Sequence, residues 1–226
     1  MRTLFLVALT LAVNSPRASA GFTTSPAAFA AALTGSPAPH LETFDGTLAG
    51  FAQADLTYTF AGNGFAYTVT TGGPTNGSGG LFQAADGGVG GSPTFGAIND
   101  ARSLEVAFAT TVTVTAFAGH FFHTDDENGF RATPVTLAVT AGGVTKSFTF
   151  TPTDVASSFV GYTSGVAIDS VSLSQPDADR YATVDDFTVG QVPEPPAAAT
   201  PLPPTLLLAG VAGLIAVARQ PRRTPK

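Results

Sequence analysis

The sequence predicts an all-β domain, an antiparallel β-sandwich of jelly-roll kind with one short helix near its start. Three observations carry this. Apolar residues alternate with threonine or small residues in many short runs, as in Leu56, Tyr58 and Phe60 or Val135, Leu137 and Val139. Turn-forming Gly, Asn and Asp stand between the runs. No helix-length crossover separates them, which argues against a parallel α/β sheet.

The helix is expected over Pro26 to Leu33. Ser25 can cap it, Pro26 suits its first turn, and Gly35 follows its end. Phe29 and Leu33 stand four apart on one face, so the helix should lie over the edge or end of a sheet. Strands are then expected around Leu56 to Phe60, Phe65 to Val69, Leu104 to Phe108, Val112 and Val114, Val135 to Val139, Phe148 and Phe150, Val166 and Ile168, and Tyr181 to Val189. Between Thr71 and Gly96 glycine is so dense that a long surface loop is expected. A phosphate cradle is excluded there, because no Lys or Arg occurs from Ala18 to Ala101 and no helix follows to point its N-terminus at an anion.

Charge narrows the choice of partner. From residue 21 to 191 there are four cations, Arg102, Arg131, Lys146 and Arg180, against fifteen carboxylates, a net of −11. Such a surface repels nucleic acid and anionic lipid. The chain has no cysteine, so it needs no disulfide and offers no thiolate. Stability must come from packing.

The two ends read as addresses. Arg2, the apolar stretch Leu4 to Val13 and the small residues Ala18-Ser19-Ala20 form the pattern of a cleavable secretory signal over residues 1–20. The domain is then residues 21–191. Residues 192–226 hold Val192-Pro193-Glu194-Pro195, an apolar run and a basic end of Arg219, Arg222, Arg223 and Lys226. Basic residues on one flank of an apolar run favour a cytoplasmic end. A transmembrane helix over about 204–218 would span roughly 22 Å, short of a hydrocarbon core of about 30 Å, so flanking arginines would have to snorkel or the bilayer thin.

This tail resembles the PEP-CTERM sorting signal of exported proteins. The resemblance implies recognition of Val192, Pro193, Glu194 and Pro195 by a membrane-embedded sorting protease of the exosortase type. It extends into the domain, through Leu41 to Gly46, Thr115 to Asp125, Phe159 to Ser164, Ile168 to Val171 and Val184 to Phe187. There it implies a shared fold and no particular activity. Localisation follows as export, transient anchoring by the C-terminal helix, and then cell surface or extracellular matrix.

Candidate chemistry is sparse. His120 and His123 are three apart on an expected strand and so point to opposite faces, which disfavours a shared metal. Asp125, Asp126 and Glu127 precede Asn128-Gly129 and offer the clustered oxygens calcium wants, but a solvated turn is the better account. Asp186, with Asp185, would meet Glu42 and Asp45 if the first and last strands are neighbours, as in carbohydrate-binding jelly rolls that carry a structural calcium. No G-x-S-x-G, H-E-x-x-H or thiol nucleophile occurs, so the chain is read as a non-enzyme without a required cofactor. Two functions remain: a structural or adhesive envelope component, and a carbohydrate-binding module for extracellular polysaccharide. With no tryptophan, only Tyr58, Tyr67, Tyr162 and Tyr181 could serve as sugar platforms, which favours the first.

Overall fold

The computed structural model describes residues 20–44, 57–72, 80–84, 89, 93–98, 103–109, 112–174 and 179–194. The chain separates into two compact units, Met1–Pro193 and Glu194–Lys226. The secretory signal up to Ser19, Asp45, Pro195, the expected helix at 204–218 and the basic end lie outside the described residues. Among the described residues no helix is long and apolar enough to cross a membrane.

The first unit begins with β1 (Gly21–Thr23), α1 (Pro26–Ala32) and β2 (His40–Glu42). β3 (Thr57–Gly62), β4 (Phe65–Gly72), β5 (Gly80–Ala84), β6 (Thr94–Ile98), β7 (Ser103–Phe108) and β8 (Ala116–Thr124) follow. The chain continues through β9 (Phe130–Arg131), β10 (Val135–Ala141), β11 (Val144–Phe150), β12 (Phe159–Thr163), β13 (Ile168–Ser174) and β14 (Tyr181–Gly190). A 3-10 turn, Ala156–Ser158, precedes β12. The strands form two sheets, and every pairing is antiparallel. One runs β1-β12-β8-β14-β6-β5, with β2 added to β14 and β9 to β8; the other runs β11-β10-β13-β7-β4-β3. This is the expected all-β sandwich.

The second sheet shows why the alternation was readable. In β10, Val135, Leu137, Val139 and Ala141 are buried while Thr136, Ala138 and Thr140 are half-exposed, the period of two that a sheet with one wet face imposes. Its outer face is a lattice of hydroxyls, in which Thr136 bonds Thr149 and Thr140 bonds Thr145, each at 2.9 Å. The inner face joins the other sheet around an aromatic cluster of Phe44, Phe60, Tyr67, Phe95, Phe117, Phe121 and Phe187. In the first sheet, β8 and β14 are covered on both faces and alternate little in sequence.

α1 provides part of that second cover. Ser25 Oγ accepts the Ala28 N–H at 3.2 Å and Pro26 opens the helix, as expected from the sequence. Phe29 then packs with Ala116 and Ala118, and Leu33, Phe159 and Val192 close around them. Gly161 makes this docking feasible, since a Cβ there would come within 2.7 Å of the Phe29 ring.

Three local expectations are corrected. The glycine-dense segment contains two strands, because Leu81, Phe82, Phe95 and Ala97 are buried and their burial outweighs the low strand propensity of glycine. Val112 and Val114 lie outside any strand. Val114 is nonetheless buried, and its carbonyl accepts the Ile168 N–H at 2.8 Å, so backbone pairing is met without a ladder. Val166 is exposed in the turn before β13, and only Ile168 enters the strand.

Candidate functional site

The acidic run after β8 forms a tight turn. Asp125 Oδ1 accepts the N–H of Glu127 at 3.0 Å and of Gly129 at 2.6 Å, and Oδ2 pairs with Arg131 Nη2 at 2.6 Å. Asn128, at φ 61°, makes the left-handed step that asparagine tolerates. Both carboxylate oxygens of Asp125 are therefore committed to closing the turn and fixing β9 beside β8. Asp126 and Glu127 are exposed. Nearby, Tyr181 is held above the usual tyrosine range by burial first and then by the charges of Asp126, Asp179 and Asp125.

Asp186 sits elsewhere. β14 bulges against β8 between Asp185 and Thr188, where Asp186 adopts φ 49° and donates its N–H to Asp185 Oδ1 at 2.8 Å. The bulge divides β14 into a half that pairs with β6 and a half that pairs with β2. The short β2 and the last strand, β14, are thus neighbours: Glu42 stands opposite Phe187, one residue from Asp186. Thr124 pairs with Tyr181, five residues before Asp186, so the two carboxylate groups are separated by about 17 Å of strand and cannot share an ion. Among the described residues no three His, Cys, Asp or Glu side chains stand together as a metal would require.

The two sequence-flagged histidines are parts of the fold. His123 points between the sheets, where its Nε2–H donates to the Ser174 carbonyl at 2.9 Å and Nδ1 meets the Thr133 hydroxyl at 2.9 Å. A carbonyl can only accept, which fixes the proton on Nε2. His120 points to the other face and donates from Nδ1 to the Val155 carbonyl at 2.8 Å, edge-on to Phe159.

Sequence reasoning passed over the third histidine. His40 and Glu42 alternate with exposed Leu41, so both turn inward opposite the buried Val189 and Phe187. His40 lies on Gly62, where any Cβ would overlap its ring. Its Nε2 is buried without a hydrogen-bond partner and stands 3.7 Å from Glu42 Oε2, while Glu42 Oε1 accepts the Phe44 N–H at 2.9 Å. From the facing sheet, Tyr67 is 1% exposed and its hydroxyl also lacks a partner. The signal was the spacing His-x-Glu, which places two polar side chains on one face of a strand. It was hidden because β2 is only three residues long.

Burial, and secondarily the Glu42 charge, holds the Tyr67 hydroxyl far above its ordinary pKa near 10. The unfolded chain therefore releases this proton first as pH rises, and the stability tied to it is complete below pH 10 and lost above it. The slope is up to about 1.4 kcal/mol per pH unit for this residue. Tyr67→Phe should flatten the alkaline limb of melting temperature against pH. At neutral pH it should leave stability equal or higher, because it removes an unsatisfied buried hydroxyl. An unchanged alkaline limb would show that Tyr67 ionises as freely in the folded protein as in the unfolded chain.

At the C-terminal end, Gln191 Nε2 donates to the Thr113 carbonyl and the Val192 N–H to Thr115 Oγ1, each at 2.7 Å. Val192 packs beside Phe29, and Glu194 is exposed. No family model and no curated protein matches this chain. A solved structure, an exo-β-1,3-galactanase from Phanerochaete chrysosporium with galactose, aligns with 55% of this chain at 13% identity and a TM-score of 0.29. The alignment spans about a third of the galactanase, 32% of its chain. At this similarity the match carries no inference about activity.

Proposed function

We propose that this chain is an exported envelope or matrix protein, its sandwich a structural or adhesive unit and its C-terminal segment a PEP-CTERM-like sorting signal. The observation that carries the reading is where the sandwich spends its aromatic and polar groups. Tyr67 and Tyr162 are buried, Tyr58 packs on Phe60 and Phe95, and Tyr181 packs on Phe82. Asp125, Asp185, His120 and His123 are tied into turns, a bulge and inter-strand contacts. A carbohydrate-binding module would present a flat aromatic to solvent; the four tyrosines of this chain serve packing instead.

The sorting half of the proposal is supported by the order of features in the tail: motif, apolar run, basic end. Prolines at 193, 195, 196, 201, 203 and 204 lack the backbone donor that regular pairing needs, a composition that favours the extended form a protease accepts. Glu194→Ala with Pro195→Ala should leave export and the sandwich unchanged and hold full-length protein in the membrane fraction. Processing and distribution equal to the parent would reduce the motif to a proline linker.

A further inference from the structure

We propose that His40 and Glu42, with Tyr67 facing them, form a binding site for a first-row divalent cation of the zinc kind, set between the sheets where β2 joins β14. Two unmet needs border Glu42, which lies 3.7 Å from His40 Nε2 and whose charge acts on Tyr67. A buried donor or acceptor without a partner costs about 1–3 kcal/mol, and here both His40 Nε2 and the Tyr67 hydroxyl are in that state. The separation of His40 Nε2 from Glu42 Oε2, 3.7 Å, is too long for a hydrogen bond. It is close to the roughly 3.4 Å that separates two ligands of one tetrahedral zinc with ordinary metal–nitrogen and metal–oxygen lengths.

The ligand set selects the ion. Imidazole nitrogen beside a single carboxylate suits zinc and its first-row neighbours, whereas calcium takes oxygen from several groups at once. Placement is rigid on both sides. Gly62 seats the imidazole ring, and the Phe44 N–H holds the other Glu42 oxygen, leaving Oε2 toward His40. The remaining coordination positions fall to water, to which Tyr67 can offer its unpaired hydroxyl. His123 cannot compete, since both of its ring nitrogens are already engaged.

The test uses the full chain, stripped with chelator and titrated with zinc by calorimetry, with calcium in parallel. One saturable zinc site and a raised melting temperature are expected, with no response to calcium. Both zinc effects should be lost in His40→Gln and in Glu42→Gln. Absence of a one-to-one site, or a site that survives both substitutions, overturns the proposal. Should either variant fail to fold, imidazole nitrogen NMR of the unaltered chain decides. Zinc should shift the signals of one histidine of the three, and no shift or a uniform shift refutes the site.

Discussion

Gly96→Val should be among the most damaging single changes in this domain, although it adds only three carbon atoms. A Cβ at residue 96 would stand 2.5 Å from the Phe82 ring and 2.7 Å from the Ala182 carbonyl oxygen. Phe82 is itself buried, and the carbonyl belongs to the main chain of β14, so neither neighbour can swing aside. Relief requires β6 to lift from β14, which opens the pairs Thr183 with Gly96 and Val184 with Phe95 and loosens β5 beyond them. Overpacking of a core costs about 1–3 kcal/mol when side chains absorb it, and the upper end or more is expected where main chain must move. That is a large fraction of a typical total of about 5–15 kcal/mol. Chemical denaturation should show a clearly lowered midpoint for Gly96→Val and a smaller drop for Gly96→Ala. Gly165→Ala, where an added Cβ meets nothing within 4 Å, should stay within about 0.5 kcal/mol of the parent. Equal midpoints for the residue 96 and 165 variants would mean that β6 does not pack on β14 in this register.

The same glycine explains what was hidden in the sequence. β3, β4, β10 and β13 could be read because their apolar residues alternate with threonine or serine, and β7 because Leu104 and Val106 alternate with Glu105 and Ala107. α1 could be read because its cap, first-turn proline and apolar pair agree. β5 and β6 could not, since they lie in a glycine-dense segment that looks like loop, and Gly96 within β6 is in fact a point of close approach. The candidate sites were less legible than the fold for a related reason. Asp125 is an acidic residue in an acidic run, and only the structure shows its oxygens turned onto two N–H groups and Arg131. His123 meets a carbonyl 51 residues away, a partner that local spacing cannot announce. The neighbouring of Glu42 and Asp186 was foreseen as a condition and is met by β2 on β14. The inward pair His40 and Glu42 went unread because three residues are too few to establish a period.

Phe187→Ala should lower the melting temperature by about 6–20 °C, taking roughly 3–5 kcal/mol for a buried Phe→Ala change and about 2–4 °C per kcal/mol for a domain of this size. Phe187 is fully buried directly after the left-handed step at Asp186, so the bulge in β14 exists in part to aim this ring inward. It lies 5.2 Å from the Tyr67 ring across the sandwich, 6.1 Å from Phe117 and 6.3 Å from Phe121 within its own sheet. Truncation leaves a cavity bounded by aromatic rings. Their close packing and their strands limit how far they can collapse, which puts the cost at the upper part of the range. Phe187→Leu fills most of the volume and should recover more than half of the loss. Leu41→Ala, on the exposed face of the paired strand, removes a similar apolar group with little to lose and should move the midpoint by less than about 0.5 kcal/mol. The three variants compared by thermal melting separate burial from strand pairing. If Phe187→Ala fell no further than Leu41→Ala, the ring would not be the link between the two sheets. The inward aim of β2, on which the His40 and Glu42 site depends, would then lose its support.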